Sequence, residues 1–149
     1  STTIYRSGTP TVALACSLAL ALDKAVTELP ARVEYIRGLN ARLRTELSKY
    51  PKVRINSPEH AVPQILNLSV QNVKGTVFQR ELDARGVCVS VKSACSSDGL
   101  PSRAVFAVSH DRRNALSSWR ISLSHLTTEQ DITGFLQAFD ACYQDLTRQ

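Results

Sequence analysis

The sequence predicts an α/β (α+β) domain in which a small mixed sheet carries its helices mainly on one face. Three observations lead there. Two helical patterns come first and short strands then alternate with helices, an order that builds a small sheet against a helical layer. The chain has 149 residues with 43% apolar content, enough for one domain with a real core and too little to expect two. Its apolar positions recur every second residue or at intervals of three and four, with no internal repeat, low-complexity tract or linker.

The first helix is expected to start at Thr9-Pro10, a hydroxyl for the N-cap followed by a proline whose missing N–H costs nothing at the first helical position. It runs to about Leu29, ahead of Pro30. Its faces are mostly Ala, Leu and Val, with charges only late, Asp23 and Lys24 among them, so it is expected to be covered on most sides, Cys16 included. The apolar run Val12–Leu22 is too short to span a bilayer. The few residues between Arg6 and Cys16 leave no room for an export signal. A second helix is expected from about Ala31 to Tyr50, where Val33, Ile36, Leu39, Leu43 and Leu47 repeat at three and four. Pro51 ends it.

Val53–Ile55 reads as a short strand before the turn-rich Asn56-Ser57-Pro58-Glu59-His60, and Ile65–Val70 as a strand by its alternation. Thr76 with Gln79 makes a capping box for a helix through Phe78 and Leu82, closed by Gly86. Val87–Val91 follows as a strand with its valines on one face and Cys88 and Ser90 on the other, where Cys88 is expected to pack. Ser102–Val108 is expected to form a short helix and His110–Leu116 an irregular polar stretch. Ser118–Ser124 is a strand with Trp119, Ile121 and Leu123 on one face. Thr127 or Thr128 caps the last helix, whose Ile132, Phe135, Leu136, Phe139 and Tyr143 form a stripe bordered by Cys142.

Two positions stand apart from packing. Between Val91 and Pro101 the chain runs into small polar residues around Cys95, with nothing bulky to bury the thiol. Such a loop suits chemistry, although an ordinary free cysteine fits the stretch as well. Arg120 projects alone from the polar face of its strand, either as a solubilising charge or as a bidentate grip on a carboxylate.

Composition narrows the function classes. The balance of 18 Lys+Arg against 13 Asp+Glu gives +5, but the basic residues are scattered and aromatic content is 6%, which argues against nucleic acid as partner. Cys16, Cys88, Cys95 and Cys142 make no metal-type spacing with His60, His110 or His125. A chain with this much core needs no disulfides, so a reduced, cytoplasmic setting is expected.

Arg6-Ser7-Gly8-Thr9-Pro10, Ser93-Ala94-Cys95-Ser96, and Trp119-Arg120-Ile121-Ser122-Leu123 followed by Leu126-Thr127-Thr128-Glu129 resemble three signatures of the C-terminal part of cysteine desulfurases. These are pyridoxal-phosphate enzymes of the class V aminotransferase fold. The resemblance covers essentially the whole chain in the right order, and implies that residues 1–149 are the small C-terminal domain of that fold. It implies a complete enzyme that binds pyridoxal phosphate and L-cysteine, attacks the substrate sulfur with a loop thiolate, releases alanine and keeps a persulfide. Iron–sulfur cluster assembly or another sulfur transfer would consume it, through a sulfur acceptor or scaffold protein, and a homodimer is implied. Cys95 matches the nucleophile and Arg120 the arginine that grips the substrate carboxylate. Thr9 matches a threonine that reaches the cofactor phosphate of the partner subunit, although its hydroxyl serves equally as a helix cap. The interval from Cys95 to Arg120 resembles the branch with a long, mobile cysteine loop.

The departures count too. The family's cofactor lysine, and the aspartate and histidine that hold the cofactor ring, belong to an upstream domain without counterpart in these residues. No lysine stands in a Ser-x-His-Lys context, so the chain alone is expected to be inactive and to leave the cofactor unbound. The absence of methionine and a start at Ser1 in a loop-like stretch fit an excised domain. Lys92 stands where a small residue is usual, and could lower the thiol pKa or change the loop. Two other readings remain open: a sulfur-relay or docking module that accepts a persulfide from a separate partner, and a diverged non-catalytic relative.

Overall fold

The computed structural model describes residues 8–91 and 100–148. Three strands, β1 (Val53–Ile55), β2 (Ile65–Val70) and β3 (Ser118–Ser122), pair in that order. Register follows the alternation: Leu66 lies opposite Ile121 and Leu68 opposite Trp119, so all four side chains share one face. That face is buried beneath α1 (Val12–Leu47), α2 (Gly75–Asp83) and α5 (Glu129–Thr147), which contribute Leu39, Leu43, Phe78, Leu82, Phe135 and Phe139. Trp119 stacks on Phe78 at 5.1 Å, and Phe139 lies 5.2 Å from Phe78. Each of these large side chains contributes about 1.5–3 kcal/mol by leaving water. Two short helices, α3 (Arg103–Ser109) and α4 (Arg112–Ser117), complete the order.

The sheet is antiparallel throughout rather than mixed. Its missing parallel pair has a topological cause. The stretch after α2 forms a single antiparallel bridge, Ser90 with Arg120, so it runs in the same sense as β2. β3 lies between the two and separates them. That bridge is all that forms of the strand expected over Val87–Val91, although its three valines do pack against the core as the alternation requires. Cys88 is exposed instead of packed, its Sγ 3.9 Å from Asp83 Oδ1.

α1 replaces the two helices expected on either side of Pro30. A proline inside a helix removes one hydrogen bond and crowds the preceding turn. The helix continues because Ile36, Leu39, Leu43 and Leu47 anchor its second half in the core, and Glu28 and Arg32 pair across the proline at 2.6 Å. It begins at Val12, not at Thr9-Pro10: Thr11 holds the cap position without a side-chain bond, and Thr9 caps nothing. The first half is not buried. Val12, Leu14, Leu18, Leu20, Leu22 and Val26 are each at least 60% exposed, and Cys16 is exposed with them, because no described element covers this part of the helix.

α2 starts at Gly75 behind Lys74, without the Thr76–Gln79 capping box. Gln79 instead donates from Nε2 to the Val89 carbonyl at 3.0 Å, tying the helix to the bridged stretch. Gly86, at φ 77, closes the turn beyond it in the left-handed region that glycine adopts without strain. The stretch expected to be irregular contains α4, whose N-cap Asp111 accepts from the Asn114 N–H at 3.0 Å. α5 is capped by Thr128 with Asp131 as the reciprocal partner, and Cys142 is buried in its stripe. No described helix is long and apolar enough to cross a membrane.

Candidate functional site

The sheet face turned away from the core is polar, and it forms the floor of a cleft of about 760 Å³. Period-two alternation puts Asn67 and Ser69 of β2, and Arg120 of β3, on this side whenever Leu66, Leu68 and Trp119 point to the core. Arg120 directs both backbone groups to the bridged stretch: its N–H donates to Ser90 O at 2.7 Å and its carbonyl accepts from Ser90 N at 3.1 Å. It therefore meets Asn67 as a non-hydrogen-bonded pair, the arrangement that brings opposed side chains closest. Asn67, Arg120 and Ser90 form a row across the sheet, and all three line the cleft.

The walls come from the end of β1 with Asn56 and Ser57, and from Leu100 through α3. α3 is held by Ser102, which accepts from Val105 N and donates its own N–H to Ala115 O at 3.2 Å. α4 is fixed by a polar cluster beneath the cleft. There Ser69 Oγ donates to Asn114 O at 3.0 Å, and Asn114 Nδ2 donates to Asn56 Oδ1 at 2.9 Å.

Electrostatically the cleft suits an anion. Its described lining holds Arg54, Arg103 and Arg120 and no carboxylate. Arg54 has a partner in Asp111 at 3.5 Å. Arg120 has none among the described residues, and its Nε is buried without any acceptor. A buried, unpaired donor on a guanidinium is costly to maintain unless a ligand completes it. Arg can hold a carboxylate through two parallel N–H···O bonds, which is the chemistry this floor offers.

Of the residues singled out in the sequence, Arg120 stands at the centre of this floor. Cys95 and Lys92 lie outside the described residues. The chain leaves the described part at Val91 and rejoins it at Leu100, and both of those residues line the cleft. Thr9 is exposed and is not part of the cleft lining. Sequence reading missed Asn67, Ser90 and Arg103. The first two had a signal, since they occupy the polar phase of the same alternation that singled out Arg120. Arg103 had none beyond its charge.

The family model described as aminotransferase class-V matches residues 1–135. Curated relatives include a cysteine desulfurase IscS of Clostridium botulinum, 30% identical over 89% of this chain and 34% of its own length. The cysteine desulfurase IscS of Escherichia coli is 36% identical over 85% of this chain and 31% of its own length. Among solved structures, a NifS-like protein superposes with a TM-score of 0.78 at 28% identity, over 94% of this chain and 36% of that one. The chain thus spans about a third of the length of the curated relatives it matches.

Proposed function

The chain belongs to the aminotransferase class-V family, and on that premise we propose that it is the C-terminal domain of a pyridoxal-phosphate-dependent cysteine desulfurase. The observation that carries this is Arg120, whose buried Nε has no acceptor among the described residues, on the floor of a cleft whose lining also includes both ends of the Cys95 segment. One residue suits the carboxylate of L-cysteine and the other its sulfur.

In this reading Arg120 fixes the substrate by its carboxylate, which sets the position of the sulfur. The Cys95 thiolate attacks that sulfur. An S–S bond forms as the substrate C–S bond breaks, the electron pair leaves with carbon, and that carbon takes up a proton and departs as alanine. The persulfide remains on Cys95 for a sulfur acceptor or an iron–sulfur scaffold. Pyridoxal phosphate, when bound, supplies the electron sink that makes the C–S bond cleavable. Among the described residues, none of Lys24, Lys49, Lys52 or Lys74 lines the cleft. Thr9, exposed ahead of α1, is assigned to the cofactor phosphate of a partner subunit in a homodimer.

The experiment is alanine release from L-cysteine by the complete polypeptide. Cys95→Ser is expected to abolish turnover, and Arg120→Ala to lower kcat/KM by about a hundredfold, the scale of one charge-assisted pair. Unchanged turnover in Cys95→Ser overturns the reading.

A further inference from the structure

Asn67 carries donors that the reading above leaves unused. Its carboxamide oxygen is taken, because Asn56 Nδ2 donates to Asn67 Oδ1 at 2.8 Å. Asn56 cannot turn round. Its own Oδ1 accepts from Asn114 Nδ2 at 2.9 Å, and its Nδ2 also donates to Ser69 Oγ at 2.9 Å. Ser69 Oγ in turn donates to the Asn114 carbonyl at 3.0 Å in a buried position. This closed set of bonds fixes the sense of each amide, so Asn67 must present its N–H groups away from Asn56. No described residue accepts from them, and Asn67 lines the cleft directly beside Arg120. In such a cross-strand pair the two Cβ atoms lie about 4.5–5.5 Å apart.

We propose that Asn67 Nδ2 donates to the same substrate carboxylate that Arg120 holds, and so helps to set the preference for a free amino acid over neutral analogues. This rests on the carboxylate role of Arg120 proposed above. A guanidinium covers a carboxylate along one edge and leaves lone pairs at its flank. A neutral amide there adds a donor without adding charge. Because the amide is already held by Asn56, binding costs it little rotamer freedom. The same bonds let α4 support the binding floor from beneath, since Asn114 anchors the far end of the set.

The test uses the complete polypeptide loaded with pyridoxal phosphate, and compares kcat/KM for L-cysteine with that for L-cysteine methyl ester, which lacks the anionic carboxylate. Asn67→Ala removes the amide. Asn67→Ser keeps a small neutral acceptor on the Asn56 side but is too short to reach the substrate carboxylate, so it carries the test if the alanine variant fails to fold. Both variants are expected to lose about tenfold on L-cysteine, mainly through KM, with the ester changed by less than about twofold. A ratio of free acid to ester within about twofold of the parent in the folded variants overturns the inference. Arg120→Ala separates the two levels. If it retains the parental preference for the free acid, the carboxylate reading itself fails and this inference with it. If Arg120→Ala loses that preference while both Asn67 variants keep it, only the role of Asn67 fails.

Discussion

Gly75 at the start of α2 lies so close to Ser118 at the start of β3 that a Cβ on Gly75 would overlap the Ser118 carbonyl oxygen. Both contacting groups are backbone on the serine side, so neither can swing aside. Gly75→Ala is expected to push α2 off the sheet and lower stability by about 1–3 kcal/mol, read as an earlier midpoint in urea unfolding. Because Arg120 sits two residues further along β3, the same variant should also weaken the site. An unchanged midpoint would contradict the packing.

Tyr50 gives a high-pH signature. Burial, and then its hydrogen bond to Asp140 Oδ1 at 2.9 Å, pushes the phenol up to about 12, from an ordinary value of about 10. The folded value lies above the unfolded one, so the stabilisation is complete below about pH 10 and is lost as pH rises toward 12. Tyr50→Phe cannot ionise, and is expected to lose stability less steeply than the parent across that interval. Parallel curves of unfolding free energy against pH would count against it.

Asp131 gives the low-pH counterpart. The Thr128 N–H donates to its carboxylate at 2.8 Å and the Thr128 hydroxyl joins it, holding the carboxyl below its usual value. Here the folded value lies below the unfolded one, so the stabilisation is present above about pH 4 and fades as pH falls through the lowered value. Asp131→Asn is expected to flatten acid unfolding in that window. Thr128→Ala removes the cap of α5 and should cost about 1 kcal/mol at neutral pH, measured by thermal or urea unfolding.

Residues 12–22 of α1 carry no charge, and their Val and Leu side chains are exposed around the helix. A helix with that surface is stable in water only when something encloses it. The 149-residue chain alone is therefore expected to self-associate, and replacing Leu14, Leu18 and Leu22 together with Glu should lower its mean mass in light scattering. A parent chain that is monomeric at high concentration would contradict this.

The period-two strands β1, β2 and β3 were legible in the sequence, as was the aromatic stripe of α5, because each rests on side chains that face a single core. Arg120 was legible for the same reason: alternation left it alone on a polar face. What failed depended on partners that local pattern does not record. Thr9-Pro10 and Pro30 are strong local signals, yet α1 runs through Pro30 because its second half is anchored by Leu39 and Leu43. The apolar faces of residues 12–29 imply burial, but burial depends on surroundings rather than on the helix itself. Asp111 caps α4, a signal that its polar neighbours mask in the sequence. The amide cluster of Asn56, Asn67 and Asn114 joins residues far apart in sequence, and only the fold brings them together.

The most direct measurement is the mass of the Cys95 peptide after the complete polypeptide has turned over L-cysteine with no acceptor present. The account predicts the addition of one sulfur atom on Cys95, released by thiol reductant, with alanine formed in equal amount and both formed about a hundredfold more slowly in Arg120→Ala at low L-cysteine. Alanine formed while Cys95 keeps its unmodified mass, with the extra sulfur on another residue or free in solution, would contradict it.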